Sequence, residues 1–90
     1  MNTLLVAYDL HKPRQEYEAV WDVLRGMGTW WHHLDSTWIV RTELTPVQLR
    51  TQLRQLLNGD DEILVIDVSG RSWAGHGFEQ RAYDWLKKNM

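Results

Sequence analysis

The chain places a carboxylate and two cations close together after an apolar run. Asp9 lies near the end of the run Thr3–Leu10, and Lys12 and Arg14 follow it. Mg²⁺ prefers carboxylate oxygens and keeps several of its waters, so the Asp9 side chains of two copies of the chain could hold one ion and activate a water. The two cations would then contact a phosphate. The alternative is that Asp9 accepts hydrogen bonds from the amides of the following loop, as Asp commonly does at turns.

A second stretch, Gly28–Thr42, concentrates aromatic and imidazole side chains, since it holds three of the six Trp residues and two of the four His residues. Its two halves, Thr29–His33 and Thr37–Thr42, are rich in aromatic and β-branched residues, which favour strands. Asp35 and Ser36 between the halves are typical turn residues. The stretch is therefore predicted to be a β-hairpin.

The aromatic and imidazole side chains of the first hairpin strand should alternate between the two faces of the sheet. Trp30 and His32 should point to one face of the sheet, and Trp31 and His33 to the other, so the two imidazoles cannot chelate one ion together. One of His32 and His33 could act as a general acid or base with Asp9 if its strand lies beside the first strand, and His32 is the residue selected. The alternative is a hydrogen-bonded structural histidine.

Further aromatic and cationic side chains are candidates for contacts with a nucleic acid. Trp rings stack on bases, and Lys and Arg bind phosphates. The residues selected for these contacts are Lys12, Arg14, Arg71, Trp30, Trp38 and Trp73. The alternative is that some of these Trp residues fill the core or a dimer interface.

Composition limits the class of protein. The 90 residues suffice for one small domain, and a net charge of −2 argues against broad binding to duplex phosphates, which needs a basic surface. The lack of Cys excludes disulfides and thiolate metal sites. No apolar run approaches the roughly 20 residues of a membrane span, and the first residues form a strand pattern instead of a signal peptide. A cytoplasmic protein without membrane association is expected.

Hydrophobic periodicity and turn residues predict a regular order of elements. These are a strand over Thr3–Leu10, a helix over Arg14–Met27, the hairpin, a helix between the N-cap Thr45 and Asn58-Gly59, a strand over Ile63–Val68, and a C-terminal helix from Phe78. The order βαββαβ plus a helix predicts an α+β ferredoxin-like domain with an antiparallel sheet and an additional C-terminal helix. Residues 1–90 form one domain in this prediction, with a core over 3–68 and a loop and helix over 69–90.

The first and last strands of the predicted sheet are apolar on both faces. Two helices of such a domain cover one face, so the C-terminal helix, a second copy of the chain, or both must cover the other. Asp67 in the last strand would be costly to bury alone. Arg41 or Arg71 is therefore expected beside it.

Several short motifs resemble a known family. The first strand ends in Tyr8-Asp9, the second helix opens with Glu43-Leu44-Thr45, and the last strand opens with Asp61-Glu62-Ile63. Over about residues 3–68, this pattern is similar to the CRISPR-associated Cas-two-like proteins and to the related toxins of the virulence-associated protein D type. It resembles in particular a small bacterial and phage branch with a Tyr-Asp-Leu…Lys-Pro opening and a Trp-Trp-His…Leu-Asp-Ser-Thr-Trp hairpin.

The resemblance implies a homodimer joined through the sheets, with Asp9 near the two-fold axis, where the pair holds Mg²⁺ for phosphodiester cleavage. The expected function is that of a homodimeric protein of phage defence that binds nucleic acid or a nucleotide. If it is an enzyme, it is a Mg²⁺-dependent endonuclease that acts on RNA. The alternative is a non-catalytic binding module that uses the Trp-rich hairpin, either to sequester small nucleotides or as an interaction subunit of a toxin–antitoxin pair.

Overall fold

A computed structural model describes residues 1–90 as a four-stranded antiparallel sheet with three α-helices. The strands are β1 (Asn2–Asp9), β2 (Thr29–Leu34), β3 (Thr37–Thr42) and β4 (Glu62–Asp67). The helices are α1 (Glu18–Arg25), which follows a 3₁₀ turn at Arg14–Tyr17, α2 (Pro46–Arg54) and α3 (Gln80–Asn89).

The strands lie in the order β2-β3-β1-β4, and each neighbouring pair is antiparallel. The predicted ferredoxin-like βαββαβ arrangement with a C-terminal helix is therefore confirmed. β1 takes a central place because an apolar strand is most stable where both of its faces are covered. Leu4 and Val6 of this strand are fully buried.

α1 and α2 cover one face of the sheet and form the main core. Their apolar residues recur at helical spacing, so each helix presents one stripe to the strands. The buried members of this core are Leu4, Val6, Tyr17, Val20, Trp21, Leu24, Trp38, Val40, Leu49 and Leu53. This layer supports the strand and helix ends at which the candidate residues lie.

The second helix begins as predicted and ends earlier. The amide of Gln48 donates to the Thr45 hydroxyl at 3.2 Å, and the amide of Thr45 donates to the Gln48 side chain at 2.9 Å, which completes the capping box. α2 ends at Arg54, before the predicted stop at Asn58. Tight turns follow, because the amide of Leu56 bonds to the carbonyl three residues earlier.

α3 covers part of the opposite face. Ala82 and Leu86 pack on Trp31 of β2 and Ile39 of β3, and the Trp31 indole donates to the Ala82 carbonyl at 3.2 Å. Trp30 points to the other side, where it contacts the ring of buried Trp38 in the main core. The predicted alternation of the hairpin is therefore correct.

β4 differs from the prediction of a strand buried on both faces. It forms an edge of the sheet, and on the α3 side Leu64 and Ile66 are 57% and 43% exposed. α3 packs over β2 and β3, on the far side of β1, and leaves these side chains open. Together with Ala7, the register partner of Leu64 on β1, they form what we call the open strip.

The helices carry no feature of a membrane span. The longest, α3, has 10 residues, about half of what a bilayer requires. No helix is long and apolar enough to cross a membrane. The cytoplasmic location expected from the sequence stays a prediction.

Candidate functional site

A cleft opens on the α1 side of the sheet, where the end of β1 lies beside the hairpin turn. Its volume is about 430 Å³, which falls in the range of roughly 300–1,000 Å³ typical of small-ligand sites. Its walls come from the loop after β1, the 3₁₀ turn, α1 and the hairpin. Lys12, Arg14, His32 and Trp38 all line it. The structure thus brings together four of the predicted site residues.

Stacked aromatic rings form one wall of the cleft. The Trp38 indole is only 2% exposed, and the Trp21 ring lies nearly parallel to it with the centroids 6.0 Å apart. His32 stacks on Trp38 at 4.1 Å, and Tyr8 is tilted against Trp21 at 5.3 Å. The half-buried rings of Tyr8 and His32 are thus backed by buried indoles. Such a wall is a preformed apolar surface for a planar ligand.

A chain of hydrogen bonds fixes this wall to the hairpin turn. The Trp38 indole donates to the Tyr8 hydroxyl at 3.2 Å, and that hydroxyl donates to the Asp35 carbonyl at 3.0 Å. Burial raises the pKa of Tyr8 and outweighs the Trp38 hydrogen bond and the positive charge of Arg14, which lower it. The phenol is therefore neutral around pH 7 and available as a donor to the turn.

His32 is held in one tautomer by the backbone. Its Nδ1 lies 3.1 Å from the carbonyl oxygen of Thr37. A carbonyl oxygen only accepts, so Nδ1 carries the proton and Nε2 of the neutral ring is an acceptor. His32 can therefore stack under a planar ligand and accept a hydrogen bond from an N–H or O–H group.

The cations around the cleft differ in their pairing. Arg25 is neutralised by Asp22 at 3.0 Å and by Glu18 at 3.7 Å. Lys12 and Arg14 also line the cleft, are exposed, and form no ion pair. Two positive charges therefore stand beside the aromatic wall without an ion-pair partner, and the carboxylates of Glu18 and Asp35 line the same cleft.

The loop that carries Lys12 is anchored by two buried or half-buried groups. The hydroxyl of fully buried Tyr17 donates to Asp61 at 2.8 Å and accepts the amide of Lys12 at 3.1 Å. Asp61 also accepts the amides of His11 at 2.9 Å and Asn58 at 2.8 Å. Burial alone would raise the pKa of the Asp61 carboxyl, but these hydrogen bonds outweigh it and hold that pKa below its ordinary value.

A separate cluster lies where β1 ends and β4 begins. Asp9 and Glu62 are register partners in the β1–β4 ladder, and His11 follows from the loop. One ligand atom of each residue lies within 4.8 Å of the others. His11 Nε2 is 4.0 Å from the Glu62 carboxylate. All three side chains are exposed.

The structure does not meet the condition for joint action of Asp9 and His32, and it gives the loop amides acceptors other than Asp9. β3 lies between β1 and β2, and Asp9 faces the α3 side while His32 lies in the cleft on the α1 side, so they cannot act on one substrate atom. Asp9 does not accept the hydrogen bonds of the loop amides, because other side chains accept them. The amide of His11 donates to Asp61, and that of Lys12 donates to Tyr17.

The other predicted contacts for nucleic acid are divided between the two faces of the sheet. Arg71 and Trp73 line a cavity of about 240 Å³ on the α3 side, together with largely apolar side chains. Trp30 lies on the cleft side, is 40% exposed, and contacts Trp38 from outside the cleft. Of the six selected residues, the cleft therefore unites Lys12, Arg14 and Trp38.

Asp67 needs no cationic partner because it is exposed at the sheet edge. It accepts the amide of Ser69 at 2.9 Å, and its hydrogen bonds from Ser69 lower its pKa. Arg41, one of its expected partners, donates instead to the Thr3 hydroxyl at 3.1 Å and to the Asn89 carbonyl at 3.0 Å. The expectation of an Asp67–Arg pair is therefore wrong.

Sequence reasoning missed several residues of both sites. Trp21 and His11 are not among the predicted site residues, and Tyr8 and Glu62 enter the prediction only within the short motifs Tyr8-Asp9 and Asp61-Glu62-Ile63. One usable signal was alternation beyond the end of β1, since Tyr8 and Lys12 line the cleft while Asp9 and His11 join the cluster. The place of Glu62 had no local signal, because it depends on the register of two distant strands.

A scan against protein-family models, a search of curated proteins and a search of solved structures each gave no match. The strand order and the placement of the helices therefore carry the fold assignment by themselves. The resemblance to Cas-two-like proteins, and the homodimer and Mg²⁺ chemistry that it implies, stay predictions.

Proposed function

We propose that this protein binds a nucleotide, or one nucleotide unit of single-stranded RNA, in the cleft. The observation that carries the proposal is that Lys12 and Arg14, two cations without ion-pair partners, border a wall of stacked aromatic rings. Stacking contributes about 1–3 kcal/mol per base, and phosphates pair with Lys and Arg. A nucleotide supplies a ring for the wall and a phosphate for the cations.

Size and charge restrict the ligand further. A cleft of about 430 Å³ encloses one small ligand. The net charge of −2 provides no wide basic surface for a duplex, whose binding depends on many phosphate contacts. Mononucleotides and short single strands therefore fit this site better than double-stranded nucleic acid.

The acceptor of His32 adds a means of recognition. Because Nδ1 donates its proton to the Thr37 carbonyl, Nε2 carries no proton in the neutral ring and can only accept a hydrogen bond. The Nε2 lone pair lies in the plane of the imidazole, so a ribose hydroxyl beside the stack, and not the stacked base itself, satisfies this acceptor. A free base without a ribose lacks this hydrogen bond and should bind more weakly.

A homodimer is the second part of the proposal. The open strip of Ala7, Leu64 and Ile66 lies on the face opposite the cleft, and the residues that pack with α3 do not include it. Two copies that pack these strips together would remove apolar surface from water without blocking the cleft. Dimerisation would therefore stabilise this small domain and leave the cleft open to a ligand.

Isothermal titration calorimetry with AMP, GMP, CMP, UMP and ribose 5-phosphate tests the binding proposal. At least one nucleotide should bind in a saturable manner and more tightly than ribose 5-phosphate, which lacks the base. Lys12→Ala and Arg14→Ala should each weaken binding. Lys88→Ala is the matched control, because it removes an exposed positive charge from α3. Equal losses in Lys88→Ala, or no nucleotide binding at all, would refute the proposal.

A separate incubation with RNA distinguishes binding from cleavage. Single-stranded RNA should be recovered intact after incubation with the protein and either Mg²⁺ or Mn²⁺. Cleavage that disappears in Asp9→Ala while the circular dichroism spectrum is unchanged would instead make the protein a metal-dependent nuclease. Cleavage that persists in Asp9→Ala would indicate a contaminating enzyme.

A further inference from the structure

Three side chains of types that can bind metal ions meet where β1 ends and β4 begins. Asp9 is the last residue of β1, Glu62 is the first of β4, and His11 comes from the loop between β1 and the 3₁₀ turn. Their ligand atoms lie within 4.8 Å of one another. Around a tetrahedral ion with bonds of about 2.0–2.2 Å, ligand atoms are roughly 3.5 Å apart. Exposed side chains reach that spacing by small rotations.

The backbone holds the three residues in place before any ion binds. Asp9 and Glu62 are direct partners in the antiparallel ladder, so their side chains project from the same face. The amide of His11 donates to Asp61, the residue next to Glu62, and Asp61 is itself bonded to buried Tyr17. His11 and Glu62 are therefore both held in place through Asp61.

The cluster is also electrostatically incomplete. Like charges directly opposite each other on neighbouring strands destabilise a sheet, and Asp9 and Glu62 form such a pair. The Asp9 carboxylate forms no side-chain hydrogen bond or ion pair, and the ionic contact of Glu62 is with His11 at 4.0 Å. A bound cation would neutralise both carboxylates, which no Lys or Arg does.

We propose that Asp9, His11 and Glu62 of a single chain bind one first-row divalent transition ion, with Zn²⁺ as the ion to test. Mg²⁺ favours sites built from oxygen atoms and dehydrates reluctantly. An imidazole nitrogen with two carboxylates suits Zn²⁺, Mn²⁺ or Co²⁺ better, because imidazole is a ligand of borderline ions. The exposed position leaves further coordination sites for water. The site does not depend on the nucleotide cleft, which opens on the other face.

Titration of the untagged full-length protein with Zn²⁺, Mn²⁺ and Mg²⁺ by calorimetry tests this site. We expect one Zn²⁺ per chain, bound more tightly than Mg²⁺. Loss of a residue that merely supports a ligand typically costs about 10- to 100-fold in affinity, so His11→Ala and Glu62→Gln should each cost at least about tenfold. His76→Ala is the matched control, because it removes an exposed imidazole from a distant loop.

Stoichiometry separates this site from one shared by two Asp9 side chains across a dimer. One ion per two chains, with affinity unaffected by His11→Ala, would overturn the proposal. An equal loss in His76→Ala, or Mg²⁺ binding as tight as Zn²⁺ binding, would overturn it as well. The visible absorption of bound Co²⁺ provides a second measurement, which His11→Ala should abolish. Thermal melts of each variant without metal verify that the fold is retained.

Discussion

The imidazole of His32 stacks on the indole of Trp38, with ring centroids 4.1 Å apart and 14° between the ring planes. The two residues lie on neighbouring strands of the hairpin, and Trp38 is further backed by Trp21 from α1. The stack therefore joins the hairpin to the helix layer. It also makes the aromatic wall of the cleft rigid, because its inner ring is buried.

His32→Ala should weaken nucleotide binding and expose Trp38 to water. The loss of one stacking surface costs about 1–3 kcal/mol, so affinity should fall by about 5- to 150-fold. Tryptophan emission should also shift to longer wavelength. His32→Phe is the comparison, because it keeps a ring for stacking but loses the acceptor Nε2. If both variants bind nucleotides as tightly as the parent, the wall is not the binding surface.

Adjacent residues Trp30 and Trp31 should differ sharply in their effect on stability. Trp31 is 3% exposed and packs on Ala82 and Leu86, so Trp31→Ala should lower the free energy of unfolding by about 3–5 kcal/mol. Trp30 is 40% exposed and mainly contacts Trp38, so Trp30→Ala should cost about 1 kcal/mol. Urea unfolding measures both. Equal losses would contradict the placement of α3.

Some features of the fold are determined by residues that are close together in the chain. The order of helices and strands along the chain follows from periods that change between two and 3.6 residues, and the alternation of Trp30 and Trp31 follows from the strand period alone. The cap of α2 is local too, since Thr45 and Gln48 are three residues apart. Features of this kind depend on neighbours in the chain and are predictable.

The remaining features depend on pairs of residues that are distant in the chain. Asp9 meets Glu62 only because of the register between β1 and β4. The exposure of Leu64 also depends on distant parts of the chain. The composition of β4 fits a buried strand, but α3 lies over β2 and β3 and leaves one face of β4 uncovered. Such partners cannot be read from periodicity or turn residues.

Asp61→Asn should destabilise the fold although the side chain keeps its shape. One carboxylate oxygen becomes an amino group, which cannot accept the hydrogen bonds of Tyr17 or of the backbone amides. Leaving such donors without an acceptor costs about 1–3 kcal/mol. Urea unfolding should therefore show a lower midpoint. The control is Asp60→Asn at the exposed neighbouring position, which should unfold like the parent.

The open strip gives the prediction that bears most directly on assembly. If two copies pack through Leu64 and Ile66, Leu64→Lys should place a charge in the interface and shift the protein to the monomer. Because Leu64 is 57% exposed, the monomer itself should remain folded. Val47→Lys is the matched control, since Val47 is 63% exposed on α2. Sedimentation equilibrium should give a dimer mass for the parent and Val47→Lys and a monomer mass for Leu64→Lys. A parent that is monomeric at all concentrations would rule out the homodimer while leaving the cleft and the metal cluster intact, because both are complete within one chain.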